Sequence, residues 1–373
     1  MKFIADQNMP YLAETFGVHG DLVLCNGREI RRDDLAGADV LLVRSITRVD
    51  RQLLQGTGIR FVGSATIGID HLDTVWLEAN NITWAHAPGC NADAAAQYTL
   101  AMMWLACERL ERDFRRQTVG IVGRGNVGGR LEHLLNVLNI PVMSCDPPLQ
   151  DKGEQNLVSM NEVCGNSIIS LHTPLTGSGT YPTRDLFDAT RLAKLAADTL
   201  VVNASRGGVI EKTGLSEQLL SGRLNAALDV WPDEPFIDPD MLDAVIVTTP
   251  HVAGYSREGK LAGTQMIYEA FCERFAVAPL MTAASETKTV ELVYSPTKSD
   301  DQALQHAILA SSQIVRDDHA LRNQPGLSKN AGRIHIDSLR KAYPERFEFK
   351  SHRVHGVSAT SARLFRQLGF QID

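Results

Sequence analysis

Between residues 118 and 250 six short apolar runs recur, each closing on polar or glycine-rich residues: "TVGIVG", "IPVMSCD", "SIISLHTP", "TLVVNASRG", "NAALDVW" and "VIVTTPH". Such runs do not alternate between apolar and polar, so the strands they form must be buried on both faces. Stretches long enough for helices lie between them, such as 126–138 and 212–221. Strands separated by helices pair in parallel, with the helices covering both faces of the sheet. The pattern predicts an α/β domain with a doubly wound parallel sheet of six strands over 96–255.

Residues 1–95 carry a second, less regular set. "KFIAD", "VLLVRS", "RFVGSAT" and "TWAHAPG" read as strands, with helical segments around 10–16 and 50–55. Two longer helices, 93–110 and 256–276, are expected to join this smaller α/β domain to the larger one. The second returns the chain, so that about 256–284 completes the first domain. Residues 285–373 read as a third, small α/β unit. It has a strand in "KTVELVY", helices around 300–322 and 332–342, a strand near 347–357 and a last helix at 358–368. It contains no recognisable catalytic motif.

Composition narrows the possible partners. With 37 basic residues against 44 acidic, the net charge is −7, which argues against a general nucleic-acid or membrane surface. An anionic ligand would have to be attracted by local groups. The six cysteines are scattered without a C-x-x-C pair, so neither a disulfide framework nor a metal site is expected, and a reducing compartment is. The apolar core of "MKFIADQNMP" is too short for a signal peptide, and no run approaches the ~18 apolar residues of a membrane span. The expected location is cytoplasmic.

"GIVGRGNVGG" at 120–129 contains Gly123-x-Gly125-x-x-Gly128 between a strand-like run and a helical one. In that context glycines allow a tight turn and a close approach of backbone to a pyrophosphate at a helix N-terminus. The next strand ends in Asp146, placed to accept from an adenosine ribose 2′-hydroxyl and to repel a 2′-phosphate, so NAD is expected over NADP. Arg124, inside the loop, is the one opposing charge.

Ligands of such sheets bind beyond the carboxyl ends of the strands. Arg206 follows "TLVVN", Glu234 follows "NAALDVW" and His251 follows "VIVTTP". Taken singly, these are a turn residue, a residue of the polar "PDEP" loop and one of 11 histidines. If the three strands are neighbours, they converge. A guanidinium can hold a carboxylate through two parallel hydrogen bonds, and a histidine oriented by a carboxylate can take a hydroxyl proton. That is the equipment for oxidising a 2-hydroxy acid. The small residues beside Arg206 would leave the substrate carboxylate room.

"GIVGRGNVG", "HTPLT", "NASRGG", "LDVWPDEP" and "TPHVAGYS" together resemble the motif series of the D-isomer-specific 2-hydroxyacid dehydrogenases. The resemblance implies a Rossmann nucleotide domain, a flavodoxin-like substrate domain and catalytic roles for Arg206, Glu234 and His251. It implies NAD contacts at Gly123, Gly125, Asn126, Val127, Gly128, Asp146, Thr173, Ala204, Ser205, Arg206, Asp229 and Gly254. "ADQNMP", "VRSITRV", "SATIGIDHLD", "APGCNA", "CDPP" and "HVAGYSREGKLAGT" are similar to one branch of that family over at least 1–275. That similarity implies oxidation of 4-phospho-D-erythronate to 2-oxo-3-hydroxy-4-phosphobutanoate in vitamin B6 biosynthesis. It also implies substrate contacts at Ser45, Thr66 and Tyr255, and a homodimer through the C-terminal unit. Charge adds Arg44 and Arg48 as candidates for the substrate phosphate. The alternatives are another member such as phosphoglycerate dehydrogenase, and a non-enzymatic NAD-binding regulator on the same fold.

Overall fold

The computed structural model describes residues 1–279, 288–294, 299–323 and 329–373, with backbone alone for 329–333. The chain divides into two compact units, Met1–Asn91 with Ser256–Lys288, and Ala92–Tyr255 with Thr289–Asp373.

In the first unit β1 (Lys2–Asp6), β2 (Asp21–Cys25), β3 (Val40–Val43), β4 (Phe61–Ser64) and β5 (Thr83–His86) form a parallel sheet in the order β2-β1-β3-β4-β5. This is the flavodoxin-like order. The reading of 1–95 anticipated four of these strands and missed β2, which lies at the sheet edge with no buried residue. Residues 22–25 of "DLVLC" are as apolar as the other runs, but none of them is buried, so burial on both faces does not account for this run. The helix Arg257–Phe275 explains why the chain returns to this unit. Its Ile267, Tyr268 and Phe271 pack with Phe3, Phe16 and Phe61 on one face of the sheet, and Phe271 meets Phe3 and Phe16 edge-on at 5.4 Å.

In the second unit β6 (Val119–Val122), β7 (Val142–Cys145), β8 (Ile168–Leu171), β9 (Leu200–Asn203), β10 (Asn225–Leu228) and β11 (Val247–Thr248) form an all-parallel sheet. The order β11-β10-β9-β8-β6-β7 puts a topological switch between β6 and β8. All six expected strands are present. β6, β8 and β9 are buried at every position, the physical reason their sequences do not alternate.

The sequence reading set residues 285–373 apart; Thr289–Asp373 fall into one compact unit with Ala92–Tyr255, and described residues of both share a core. The helix Ala92–Arg109 is buried all round because the sheet residues Val119, Ile121, Leu200 and Val202 cover one side. On the other side lie Leu304, Ala307, Ile308, Phe349 and Phe365 from the C-terminal segment. Asp318, also C-terminal and buried, accepts from the backbone N–H and hydroxyl of Thr248 on the edge strand β11 (2.8 and 3.1 Å) and from Arg109 (2.8 Å). β12 (Val290–Val293), β13 (His352–His355) and β14 (Gln371–Ile372) add a small parallel sheet. The helix expected at 300–322 is two helices, Asp300–Ser312 and Ile314–Arg322, separated by Gln313 in a left-handed conformation (φ 60°).

Candidate active site

The glycine loop runs from the end of β6 into the helix Asn126–Val137. A Cβ on Gly128 would stand 2.0 Å from the Gly123 carbonyl oxygen, so only glycine permits this turn. Gly125 opens the helix without a side-chain cap, and a Cβ there would meet nothing within 4 Å. The N–H groups of Asn126, Val127 and Gly128 thus begin a helix whose entrance is clear, as a pyrophosphate requires. Asp146 is oriented by the backbone N–H groups of Arg124 (2.8 Å) and Leu149 (3.1 Å). Arg124 is committed to Glu132 and Glu154, whose carboxylates raise its pKa, so its charge is compensated and offers little to a 2′-phosphate.

Beyond β8, at the switch point, the Thr173 hydroxyl and His172 Nδ1 are buried without a hydrogen-bond partner. An unsatisfied buried polar group costs about 1–3 kcal/mol, which a ligand arriving at this edge could relieve. Burial pushes the His172 imidazole down to about 4, so it stands neutral beside that position. Open helix entrance, oriented acidic residue and orphaned hydroxyl fit a dinucleotide.

β9, β10 and β11 are adjacent, and Arg206, Glu234 and His251 follow their carboxyl ends. Asn203 shapes the first loop: its side chain donates to the Arg206 carbonyl (3.0 Å) and accepts from the Ser205 N–H and hydroxyl (3.0 and 2.8 Å). The half-buried Arg206 side chain donates to the Ser205 carbonyl at 2.8 Å, and Ala204 packs against the core below. The smallness of Gly207 has a cause besides the one expected. A Cβ there would lie 1.8 Å from the Trp231 carbonyl oxygen, so the close packing of two loops already requires glycine at this position.

His251 Nδ1 lies 2.8 and 2.9 Å from the two Glu234 carboxylate oxygens. Burial would raise the Glu234 carboxyl, but the charge and hydrogen bond of His251 and the Arg340 guanidinium outweigh it and hold the carboxyl below its usual value. His251 has φ 60°, in the left-handed region that a histidine can occupy only when its surroundings hold it there. Asp229 supplies that restraint. Its buried carboxylate accepts from the Thr249 hydroxyl (2.6 Å), before the histidine, and from the N–H groups of Val252 (2.8 Å) and Ala253 (3.0 Å), after it. From outside, Arg346 donates to the Tyr255 carbonyl at 2.7 Å and to those of Val252 and Ala253. Gly254 and Tyr255 complete this loop. The sequence reading missed Arg340 and Arg346, because neither stands in a motif.

In the first unit Arg44 donates from Nε to the fully buried Asp6 carboxylate at 3.0 Å. Arg48 is 85% exposed in a pair with Asp50, as an ordinary solvated arginine would be. Ser45 is exposed. The Thr66 hydroxyl is 2.7 Å from that of Ser64, which in turn meets His71 Nε2 at 2.8 Å. Among the described residues no His, Cys, Asp and Glu cluster could hold a metal ion, and no helix is long and apolar enough to cross a membrane.

Residues 90–253 match the family model of the D-isomer specific 2-hydroxyacid dehydrogenase NAD binding domain, and 286–369 match a domain of unknown function. Full-length relatives named erythronate-4-phosphate dehydrogenase include those of Marinobacter nauticus and Hahella chejuensis, 42% and 40% identical with complete coverage of both chains. The chain is also similar to the solved 3-phosphoglycerate dehydrogenase of Entamoeba histolytica with NAD+. That likeness has 20% identity and TM-score 0.65, and covers 76% of this chain and 99% of the other. A second is to D-lactate dehydrogenase of Aquifex aeolicus with NAD and lactic acid, at 20% identity and TM-score 0.63, covering 74% and 95%. At such identity these two speak for the fold alone. The full-length relatives and the matched NAD-binding domain show that the chain belongs to the erythronate-4-phosphate dehydrogenases, within the D-isomer-specific 2-hydroxyacid dehydrogenase family.

Proposed function

We propose that this chain oxidises 4-phospho-D-erythronate to 2-oxo-3-hydroxy-4-phosphobutanoate in vitamin B6 biosynthesis. The observation that carries the reading is the His251–Glu234 pair, set at the carboxyl end of the sheet beside the strand that bears Arg206. NAD, when bound through the glycine loop and Asp146, supplies the hydride acceptor. His251 takes the proton of the 2-hydroxyl through Nε2, since Nδ1 is engaged by Glu234. Glu234 orients the ring and balances the imidazolium that forms. The Arg206 guanidinium holds the substrate carboxylate and polarises the oxygen that becomes the ketone. Ser45, Thr66, Arg44, Arg48 and Tyr255 are the groups offered for the rest of the substrate and its phosphate. The intact Arg206, Glu234 and His251 disfavour a purely regulatory NAD-binding role.

NADH absorbance with 4-phosphoerythronate, 3-phosphoglycerate and D-lactate tests the reading. The highest kcat/KM is expected for 4-phosphoerythronate; a clear preference for 3-phosphoglycerate overturns it. The same reading places the enzyme in the cytoplasm as a homodimer through residues 285–373, where β12 is a sheet edge with Val293 exposed. Sedimentation of the full chain tests the dimer, and a monomer at micromolar concentration refutes it. Truncation near Val277 would be uninformative, because it strips core residues packed on the helix Ala92–Arg109.

A further inference from the structure

We propose that Arg340, on the C-terminal helix Lys329–Lys341, is a positioning residue of the active site that holds the Glu234 carboxylate against His251 and fixes the Tyr255 hydroxyl. The inference rests on the catalytic reading above and adds to it a side chain from a segment without a catalytic motif. Arg340 Nη1 donates to Glu234 Oε1 at 3.3 Å, the oxygen that also lies 2.8 Å from His251 Nδ1. Its Nε donates to the Tyr255 hydroxyl at 3.3 Å, with the guanidinium 6.0 Å from that ring's centre. The Arg340 and Glu234 side chains are only 16% and 18% exposed, so solvent screens the pair weakly.

The arginine is itself held in place. Ile336, one turn earlier, is buried in the core of the nucleotide-binding half, and His335 Nε2 lies 2.9 Å from the Ala320 carbonyl. Tyr343 packs edge-on against Tyr255 at 5.6 Å and donates to Asp317 at 2.7 Å. Arg346 then clamps the carbonyls of the loop after His251 while lying 4.7 Å from the Tyr98 ring centre. The C-terminal segment therefore reaches the His251–Tyr255 loop through its backbone and Glu234 through its charge.

The charges around Glu234 set the consequence. His251 and Arg340 face it directly, Tyr255 and Asp229 act on Arg340, and the more exposed Lys212–Asp233 pair lies next along the loop. With Arg340 in place, its positive charge partly offsets the carboxylate's pull on the imidazolium. Without it, that like charge is gone, the imidazolium becomes harder to deprotonate, and one restraint on the carboxylate's rotation is lost.

The experiment compares Arg340→Gln, Arg340→Lys and Glu234→Gln in the full chain. Arg340→Gln is expected to lower kcat/KM about tenfold or more, through both kcat and KM, because Glu234 and Tyr255 each lose a contact. The acid limb of its pH profile moves up by about 0.5–1 pH unit, opposite in direction to Glu234→Gln. Arg340→Lys, which keeps the charge, returns that limb towards wild type. An unchanged pH profile in Arg340→Gln, with the loss confined to melting temperature, would reduce Arg340 to a docking contact and overturn the proposal. Profiles are recorded with 4-phosphoerythronate and 3-phosphoglycerate. A wild-type preference for the latter defeats the substrate reading alone, while the pH shift on the preferred acid still decides Arg340.

Discussion

The staple beneath His251 makes a quantitative test. In Asp229→Asn the shape is kept, but one acceptor oxygen becomes an NH2 group. Thr249, Val252 and Ala253 all donate to this carboxylate from buried positions, so the amide must turn its NH2 towards at least one donor. One charge-assisted bond is lost, about 1.5–3 kcal/mol, and the survivors fall from charged to neutral strength, about 0.5–1 kcal/mol each. Removing a buried charge offsets part of this, leaving about 3 kcal/mol. In a unit of this size that lowers the melting temperature by about 6–12 °C. The loop that keeps His251 at φ 60° also loosens, and a misplaced general base costs about a hundredfold in kcat. Scanning calorimetry and steady-state kinetics on the full chain read both effects. An unchanged melting temperature, with the defect confined to KM for NAD, would show that Asp229 acts as a cofactor contact and that the staple argument is wrong.

His251→Ala should lower kcat by about 10²–10⁴-fold while NAD still binds, measured by fluorescence titration; near-wild-type turnover would remove it as the general base. Glu234→Gln keeps a hydrogen bond to the ring but loses the negative charge that favours the imidazolium, so the acid limb of kcat/KM should move to lower pH. Asp146→Ala should weaken NAD and narrow the gap to NADP, and an unchanged ratio of the two kcat/KM values would shift cofactor choice elsewhere. Arg44→Ala should raise KM for the phosphorylated substrate about tenfold or more, with little effect on an unphosphorylated 2-hydroxy acid. Because Arg44 also neutralises the buried Asp6, equal losses on both substrates would show that its work is in the fold.

The parts of the fold that were legible in the sequence are those where one segment carries its own constraint. β6, β8 and β9 are buried on both faces, and that burial forces an unbroken apolar run. Gly128 must be glycine because its own helix entrance touches the Gly123 carbonyl five residues earlier. β2 lies at the sheet edge with no buried residue, so its apolar run is not one that burial imposes. The packing reason for glycine at 207 was not legible. The neighbour of Gly207 is the Trp231 carbonyl on the next loop, and no local pattern reports that approach.

The same distinction explains why the active site looked complete without the C-terminal segment. Arg206, Glu234 and His251 each follow a strand, so the sheet places them and the strand signal marks them. Arg340 needs only to deliver a guanidinium to one point, from a helix 106 residues beyond Glu234. Any backbone that ends there would serve, so the surrounding sequence is free to carry no motif. What it must carry is anchorage, and that is present as ordinary core: Ile336 among apolar neighbours and Tyr343 on Tyr255. A segment that contributes through charge and packing is therefore quiet in sequence even where it bears directly on the catalytic pair, and its contribution is found by following Glu234's hydrogen bonds outward.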